Sequence, residues 1–325
     1  MLVPSAEDAR WLAAAAALAE RARPASTPNP GVGALIVKDG TVIGRGWTQP
    51  GGRPHAEAVA LEKAGAKARG ASLYVTLEPC AHHSVRGPAC SDLVGEAGIA
   101  RVVVGMRDPD ARTAGKGMAR LVSKGIEVVD AGWSAEVLGL AGHAVSLVHG
   151  RPHVTLKLAL SLDGCVATAS GESQWITGET ARAHSHRERA RADAILVGGE
   201  TLRLDDPRLD VRLEGLEDRS PQRMVLTRGD APAGWNALGS PEAIHGLQTI
   251  RYLFVEGGAS AAAAFLKADL VDRLLIYRAP IFLGAGKPGV ADLGLEQLSA
   301  AHGRWRTESS RSLGLDKLEI FSRTR

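Results

Sequence analysis

The chain has 325 residues, 45% of them hydrophobic, with 39 basic and 36 acidic side chains for a net charge of +3. That length fits two domains, each able to bury its own core, and the near balance of charge, with no run of one sign, argues against a polyanion or a membrane surface as partner. Three cysteines, Cys80, Cys90 and Cys165, are too few and too odd in number for a disulfide framework, which points to a reducing, cytoplasmic setting with thiols free for metal or burial.

The N-terminal stretch "MLVPSAEDARWLAAAAALAERAR" is apolar from Trp11 to Ala19, but Glu7 and Asp8 precede it. It is expected to be a soluble helix capped by Ser5 rather than a signal peptide, and no other segment approaches membrane-spanning length. "VGALIVKDGTVIGRGW" predicts a hairpin turning at Asp39-Gly40. "HAEAVALEKAGAKARG" predicts a helix with Ala56, Val59, Ala60 and Ala64 on one side and Gly65 or Gly70 near its end. "ASLYVTLEPC" reads as a buried strand, and "CSDLVGEAGIARVVVGMRDPD" and "MARLVSKGIEVVDAG" each as helix then strand. "SAEVLGLAGHAVSLVHG" predicts one more helix. "GRP" at 150–152 reads as a joint, giving units 1–148 and 149–325.

The second half starts with a strand, "HVTLKLALSLDG". Helix, strand and turn follow in "ESQWITGETARAHSHRERARADAILVGGETLRLDDPRL", then "RMVLTR" as a strand and "SPEAIHGL" as a short helix. "IRYLFVEGGASAAAAFLKADLVDRLLIYRAPIFLG" reads as strand, Gly-Gly turn, helix and strand. Strands alternating with helices give α/β architecture in both halves.

His55 and Glu57 stand two residues apart at the start of a predicted helix, Pro79-Cys80 ends a predicted strand, and Cys90 precedes the next helix. One imidazole and two thiolates suit zinc and leave a fourth tetrahedral position for water. Each ligand is expected at or near a helix N-terminus, where the dipole favours thiolate. Glu57 need not be a ligand and is free to move the proton of the metal-bound water to a leaving amine. H-x-E with two later cysteines is the zinc deaminase pattern, except that nine residues, "AHHSVRGPA", separate the cysteines here. A closed structural zinc site, with His82 or His83 as fourth ligand, stays open as the alternative.

"TPNPGVGALIVKDG", "GRPHAEAVAL", "YVTLEPCAHH" and "RVVVGMRDPDARTAGKG" resemble the N-terminal half of the bifunctional riboflavin-biosynthesis deaminase–reductase family, in which the cysteine spacer is long. The resemblance implies a cytidine-deaminase-like α/β/α domain acting on a phosphoribosylaminopyrimidine. It implies base contact by Asn29 and ribose-phosphate contact by His82 and Arg86. Thr48 stands in "GWTQ", where family members often carry a His.

The second half has no G-x-G-x-x-G, but "FVEGGASAAAAF" offers glycines and a helix N-terminus to a phosphate. "LKLALSLDG", "SGESQWITG", "DAILVGGETLRLDDPRLDVR" and "FVEGGAS" resemble the reductase half of the same family, which implies a dihydrofolate-reductase-like fold and NADPH. By matching position, Ala159, Trp175, Thr201, Asp205, Gly257, Gly258 and Ala259 are expected to face the cofactor. Ser173, Arg189, Leu209, Arg212 and Glu256 are expected to face the substrate, with Lys157 and Asp163 as polar positioners. Trp175 as core and Asp205-Asp206-Pro207 as a plain turn remain alternatives. The segment between Arg212 and Glu256 is shorter than the family's usual one, so an inert second half, leaving a deaminase alone, is the competing reading. A homo-oligomer is implied by the resemblance, and neither a nucleic-acid nor a membrane partner is expected.

Overall fold

The computed structural model describes residues 3–83, 85–135, 137 and 139–325, and the chain divides into two compact units, Met1–Gly150 and Arg151–Arg325. In the first unit the elements run α1 (Ala6–Ala19), β1 (Gly33–Lys38), β2 (Thr41–Trp47), α2 (Ala56–Ala64), β3 (Ser72–Leu77), α3 (Cys90–Glu96), β4 (Arg101–Met106), α4 (Lys116–Ser123), β5 (Glu127–Asp130) and α5 (Ala141–His149). Among the described residues the sheet order is β2-β1-β3-β4-β5. The pairs of β1 with β2 and β3 are antiparallel, while β3, β4 and β5 are parallel.

Local chemistry explains the boundaries. Ser5 and Asp8 form a reciprocal capping box at the start of α1. The turn between β1 and β2 is made by Asp39 and Gly40, both with positive φ (49° and 70°), as a two-residue hairpin with right-handed strand twist requires. α2 stops at Ala64 because Gly65 takes φ 53°, so the helix is shorter than the sixteen-residue stretch suggests; residues Gly65–Ala68 form a 3-10 turn. The helix expected from Ser134 begins only at Ala141, and Glu136 and Leu138 lie outside the described residues.

Both faces of the first sheet are covered. Trp11, Leu12 and Ala15 of α1 pack with Leu35, Val37, Tyr74, Val103 and Val129. On the other face Ala56, Ala60 and Ala64 of α2, Val94 of α3 and Leu121 of α4 pack with Ile36, Leu73, Val75 and Val104. α2 lies unusually close to β2. A Cβ on Gly46 would fall 2.2 Å from the Ala56 carbonyl oxygen, and one on Gly44 2.3 Å from that of Ala60, so only glycine fits at either place.

The second unit adds β6 (His153–Leu160), β7 (Cys165–Ala167), α6 (Glu179–Arg189), β8 (Ala194–Gly198), α7 (Gly199–Asp205), β9 (Gln222–Leu226), β10 (Asn236–Leu238), β11 (Tyr252–Val255), α8 (Ala259–Lys267), β12 (Arg273–Arg278), β13 (Lys287–Pro288), β14 (Trp305–Leu313) and β15 (Asp316–Arg323). Among the described residues its main sheet has the order β10-β9-β8-β11-β6-β12-β15-β14. Three expectations need correction. "GETLRLD", read as part of a turn, is the helix α7, ended by Asp206 in the left-handed region (φ 38°). "SPEAIHGL" forms a 3-10 turn, Pro241–Gly246, rather than an α-helix. The short segment before Glu256 holds a second strand, β10, beside β9.

β6 alternates by the pleat. Leu156, Leu158 and Leu160 enter one core with Leu253, Val255, Phe265 and Leu274, which leaves Lys157 and Ala159 to the opposite face, in register with Leu275 and Tyr277 of β12. That face holds a second core of Ile195, Val197, Phe254, Leu275, Tyr277 and Leu318. The entry to β6 is held by Arg151, whose two terminal nitrogens donate to Asp272 at 2.7 and 2.9 Å. Asp272 also accepts from the Val154 N–H.

In the first unit the comparable tie is Asp8, buried at 2% exposure, which receives two bonds from Arg101 at 2.6 and 3.0 Å. Arg101 holds the Asp8 carboxyl down to about 2, against the opposing effect of burial. A carboxyl depressed by folding stabilises the fold above its ordinary pKa and loses that contribution as pH falls through the folded value. Asp8→Asn should therefore cost about 2 kcal/mol near neutral pH and little near pH ~2. Denaturant unfolding of both proteins at several pH values checks this, and parallel pH profiles would contradict it.

Candidate functional site

Three soft donors converge in the first unit. His55 is the N-cap of α2, in extended conformation, and its carbonyl accepts from the Val59 N–H. Its Nδ1 lies 3.2 Å from Sγ of Cys90 and 3.7 Å from Sγ of Cys80. One ligand atom from each of the three residues lies within 4.8 Å of the others. His55 and Cys90 do stand at helix starts, but Cys80 does not. It follows β3 on a loop, and its sulfur accepts the Cys90 N–H at 3.3 Å from the start of α3. Neither His82 nor His83 joins this group; His83 turns instead to Asp92, 3.1 Å away.

The electrostatics suit a divalent cation. The hydrogen bond from the Cys90 thiol pulls the Cys80 thiol down to about 4, against burial and with help from His55. The same bond, with burial, pushes Cys90 up. A cation held between two such thiols favours ionising both. One imidazole nitrogen and two sulfurs fit zinc in chemistry and in number for a site with an open position. Glu57, in the first turn of α2, is 3% exposed, and burial pushes its carboxyl up to about 6, opposed by the His55 charge. A carboxyl so placed can hold and release a proton near neutral pH.

The residues that position Cys80 were not legible as such in the sequence. Glu78, 3% exposed, accepts from the backbone N–H groups of Asp108, Gly115 and Met118 at 3.3, 2.8 and 3.1 Å. It thereby fixes the loop carrying "DPDARTAGKG" behind the metal ligands. Gly117, in the first turn of α4, comes so near that a Cβ on it would fall 1.9 Å from the Pro79 carbonyl oxygen. The available sign was a charged residue at the end of an otherwise apolar run, since a buried carboxylate needs donors.

Around the metal donors, Asn29 Nδ2 donates to the Gly52 carbonyl at 3.0 Å. His82 keeps a buried Nδ1 with no hydrogen-bond partner among the described residues. Arg86 is exposed and donates to the Gly51 carbonyl at 2.7 Å. Thr48 is buried, and its hydroxyl accepts the Val32 N–H at 2.9 Å. It ties the end of β2 to the entry of β1, where a His would have offered an imidazole.

In the second unit three of the expected substrate residues meet. Arg189 Nε and Nη2 donate to the two oxygens of Glu256 at 2.6 and 3.0 Å, and Lys157 Nζ lies 3.4 Å from Glu256 Oε2. Burial alone would raise the Glu256 carboxyl, but Lys157 and Arg189 outweigh it and hold it at about 2. Arg189 also donates to the Asp210 carbonyl. The Arg212 N–H donates to His186 Nδ1 of α6 at 3.2 Å, and its guanidinium lies 3.3 Å from Asp210. Leu209 is buried with φ 52°.

The remaining residues are more dispersed. Thr201 Oγ1 accepts the Gly258 N–H at 3.2 Å, so one of the N–H groups expected for phosphate is already engaged by another cofactor-facing candidate. Gly258 caps α8, flanked by Gly257 and Ala259. Trp175 is 65% exposed, under the Arg182 guanidinium, which removes the core alternative. Asp205 closes α7, and Ala159 is half-buried on β6. Ser173 lies in the irregular segment before α6. Asp163 does not join the Lys157 cluster; it accepts from the Ser161 hydroxyl and from the Leu283 and Gly284 N–H groups, pinning a loop.

Residues 5–106 match the family model described as the cytidine and deoxycytidylate deaminase zinc-binding region, and residues 152–234 and 242–317 match the RibD C-terminal domain. The chain is 40% identical over 347 residues to the riboflavin biosynthesis protein RibD of Escherichia coli (strain K12), covering 91% of this chain and 94% of that one. It is 35% identical over 354 residues to RibD of Aquifex aeolicus (strain VF5), covering 97% and 98%. Among solved structures, RibD of Acinetobacter baumannii (form 1) matches with a TM-score of 0.83 at 34% identity, over 98% of this chain and 99% of that one. The Thermotoga maritima diaminohydroxyphosphoribosylaminopyrimidine deaminase/5-amino-6-(5-phosphoribosylamino)uracil reductase matches with a TM-score of 0.86 at 30% identity, over 98% and 99%.

The Glu78 arrangement generates a prediction. Glu78→Gln replaces one acceptor oxygen by an N–H₂ facing backbone donors, and should weaken zinc binding about 10- to 100-fold, as loss of an outer support does elsewhere. Competition with a chromophoric chelator measures it. Native zinc affinity in a folded Glu78→Gln protein would contradict the assigned role.

Proposed function

The chain belongs to the RibD family of riboflavin-biosynthesis enzymes, which join a deaminase to a reductase, and from that premise we propose the two reactions and the residues that carry them. The first is deamination of 2,5-diamino-6-(5-phosphoribosylamino)pyrimidin-4-one to 5-amino-6-(5-phosphoribosylamino)uracil. The second is reduction of the ribosyl group of that product to the ribityl chain with NADPH. The observation that carries the reading is the convergence of His55, Cys80 and Cys90 beside the buried Glu57.

His55, Cys80 and Cys90 would hold zinc, which when bound supplies Lewis-acid activation of a water. Glu57 takes a proton from the attacking water and delivers one to the departing amine. Its burial keeps that proton out of exchange with bulk solvent and gives the carboxyl an affinity suited to both transfers. Asn29 reads the edge of the pyrimidine, while His82, with its unpaired Nδ1, and Arg86 meet the ribose phosphate.

In the second unit NADPH supplies hydride. The backbone at Gly257, Gly258 and Ala259, at the start of α8, suits the cofactor's phosphates, and Ala159, Trp175, Thr201 and Asp205 line its path. Lys157, Ser173, Arg189, Leu209, Arg212 and Glu256 receive the substrate, and Asp163 steadies the loop beside them. The Lys157–Glu256–Arg189 cluster favours a working reductase over an inert one. Burying a carboxylate and two cations is costly for stability, and a purely structural domain would be better served by apolar residues. The strands β9 and β10 also keep the shortened segment ordered. A cytoplasmic homo-oligomer acting on small molecules, with no nucleic-acid partner, is part of this reading.

Glu57→Gln should keep zinc while deamination falls about 10²- to 10⁴-fold. NADPH oxidation on separately supplied deaminated substrate should continue at a rate near the native one. Chromatography of the pyrimidine products and absorbance of the cofactor follow the two steps. Undiminished deamination would remove Glu57 from the chemistry, and absence of NADPH oxidation in both native and variant protein would favour the inert second half.

A further inference from the structure

Two loops beside the metal donors exchange arginines. Arg86, in the spacer between the cysteines, reaches back and donates to the Gly51 carbonyl at 2.7 Å. Arg53 reaches the opposite way. The place a Cβ would take on Gly87 is 3.2 Å from Nη1 of Arg53, and Gly87 has φ 140°. The spacer backbone therefore runs against the Arg53 guanidinium with no side chain between them.

Arg53 is half-buried and stands two residues before His55. Yet among the described residues its guanidinium makes no hydrogen bond and no ion pair. A guanidinium has five N–H donors in a planar fork, and those of Arg53 are not tied to protein acceptors among the described residues, which leaves the fork open to an incoming ligand. Next door Asn29 Nδ2 donates to the Gly52 carbonyl, and on the spacer His82 keeps a buried Nδ1 without a hydrogen-bond partner among the described residues. An anion with several oxygens satisfies such a rim, and a phosphate matches the fork in shape and charge.

We propose that Arg53 is a specificity-determining residue of the first unit, binding the 5′-phosphate of the pyrimidine substrate from across the spacer that carries Arg86. The inference rests on the deaminase reading above and adds to it a residue just ahead of the H-x-E pair. In this arrangement the two loops close on the phosphate from both sides, and the charge of the substrate, rather than its base alone, draws it to the metal centre. Free pyrimidine or the dephosphorylated riboside then binds without the main electrostatic contact.

The test is the ratio of deamination kcat/KM for the phosphorylated substrate to that for its dephosphorylated form, measured in zinc-loaded native protein, Arg53→Gln and Arg53→Lys. Loss of a charge-assisted contact should lower this ratio about tenfold or more in Arg53→Gln, chiefly through KM for the phosphorylated form. Arg53→Lys, which keeps the charge but not the fork, should recover part of it. Zinc content of each protein is measured alongside. An unchanged ratio in a zinc-loaded variant overturns the role of Arg53 while leaving the deaminase standing. Should Arg53→Gln fail to fold, Arg53→Lys carries the test, and a native ratio there overturns the inference. Native protein that deaminates neither form overturns the underlying reading instead.

Discussion

The first unit depends on how closely α2 can lie on β2. Gly44 and Gly46 let the carbonyls of Ala60 and Ala56 approach the strand backbone to a distance no side chain permits. That contact fixes the start of α2, and the start of α2 carries both His55 and Glu57. Across the sheet, Glu78 and Gly117 do the same for the loop bearing Cys80. His55, Cys80 and Cys90 therefore meet because two pieces of backbone are pressed together from behind, and Glu57 is desolvated by the same packing.

This division explains which features the sequence made legible. H-x-E, Pro79-Cys80 and Cys90 announce their chemistry through residue type and order, and Asp39-Gly40 announces its turn. Local rules also located Ser5 as the cap of α1. The supports were harder to see because each joins residues far apart in the chain. Glu78 finds its donors 30 to 40 residues on, and Asp8 meets Arg101 93 residues on. Arg53 lies just ahead of H-x-E, but nothing in its neighbours disclosed that its guanidinium makes no hydrogen bond among the described residues. The helix α7 was read as a turn because Gly198-Gly199 and Asp205-Asp206 frame a helix of only seven residues, too short for its periodicity to outweigh the breakers at both ends.

The second unit poses the opposite electrostatic problem. The first gathers an imidazole, two thiols and a buried carboxyl, whereas Lys157, Arg189 and Glu256 already balance within one cluster. Glu256 follows β11 directly, and its neighbour Gly258 caps α8, so substrate and cofactor candidates emerge from one strand end, where open α/β sheets commonly place ligands. The short segment before Glu256 carries β9 and β10, at the edge of the sheet.

The most direct test of a two-reaction enzyme is mass spectrometry of the diaminopyrimidine ribosyl phosphate after incubation with zinc-loaded protein and NADPH. The account predicts a product in which one amino group has been replaced by oxygen and two hydrogens have been added. A product that stops at the deaminated species would contradict the reductase assignment, and an unchanged substrate would contradict both.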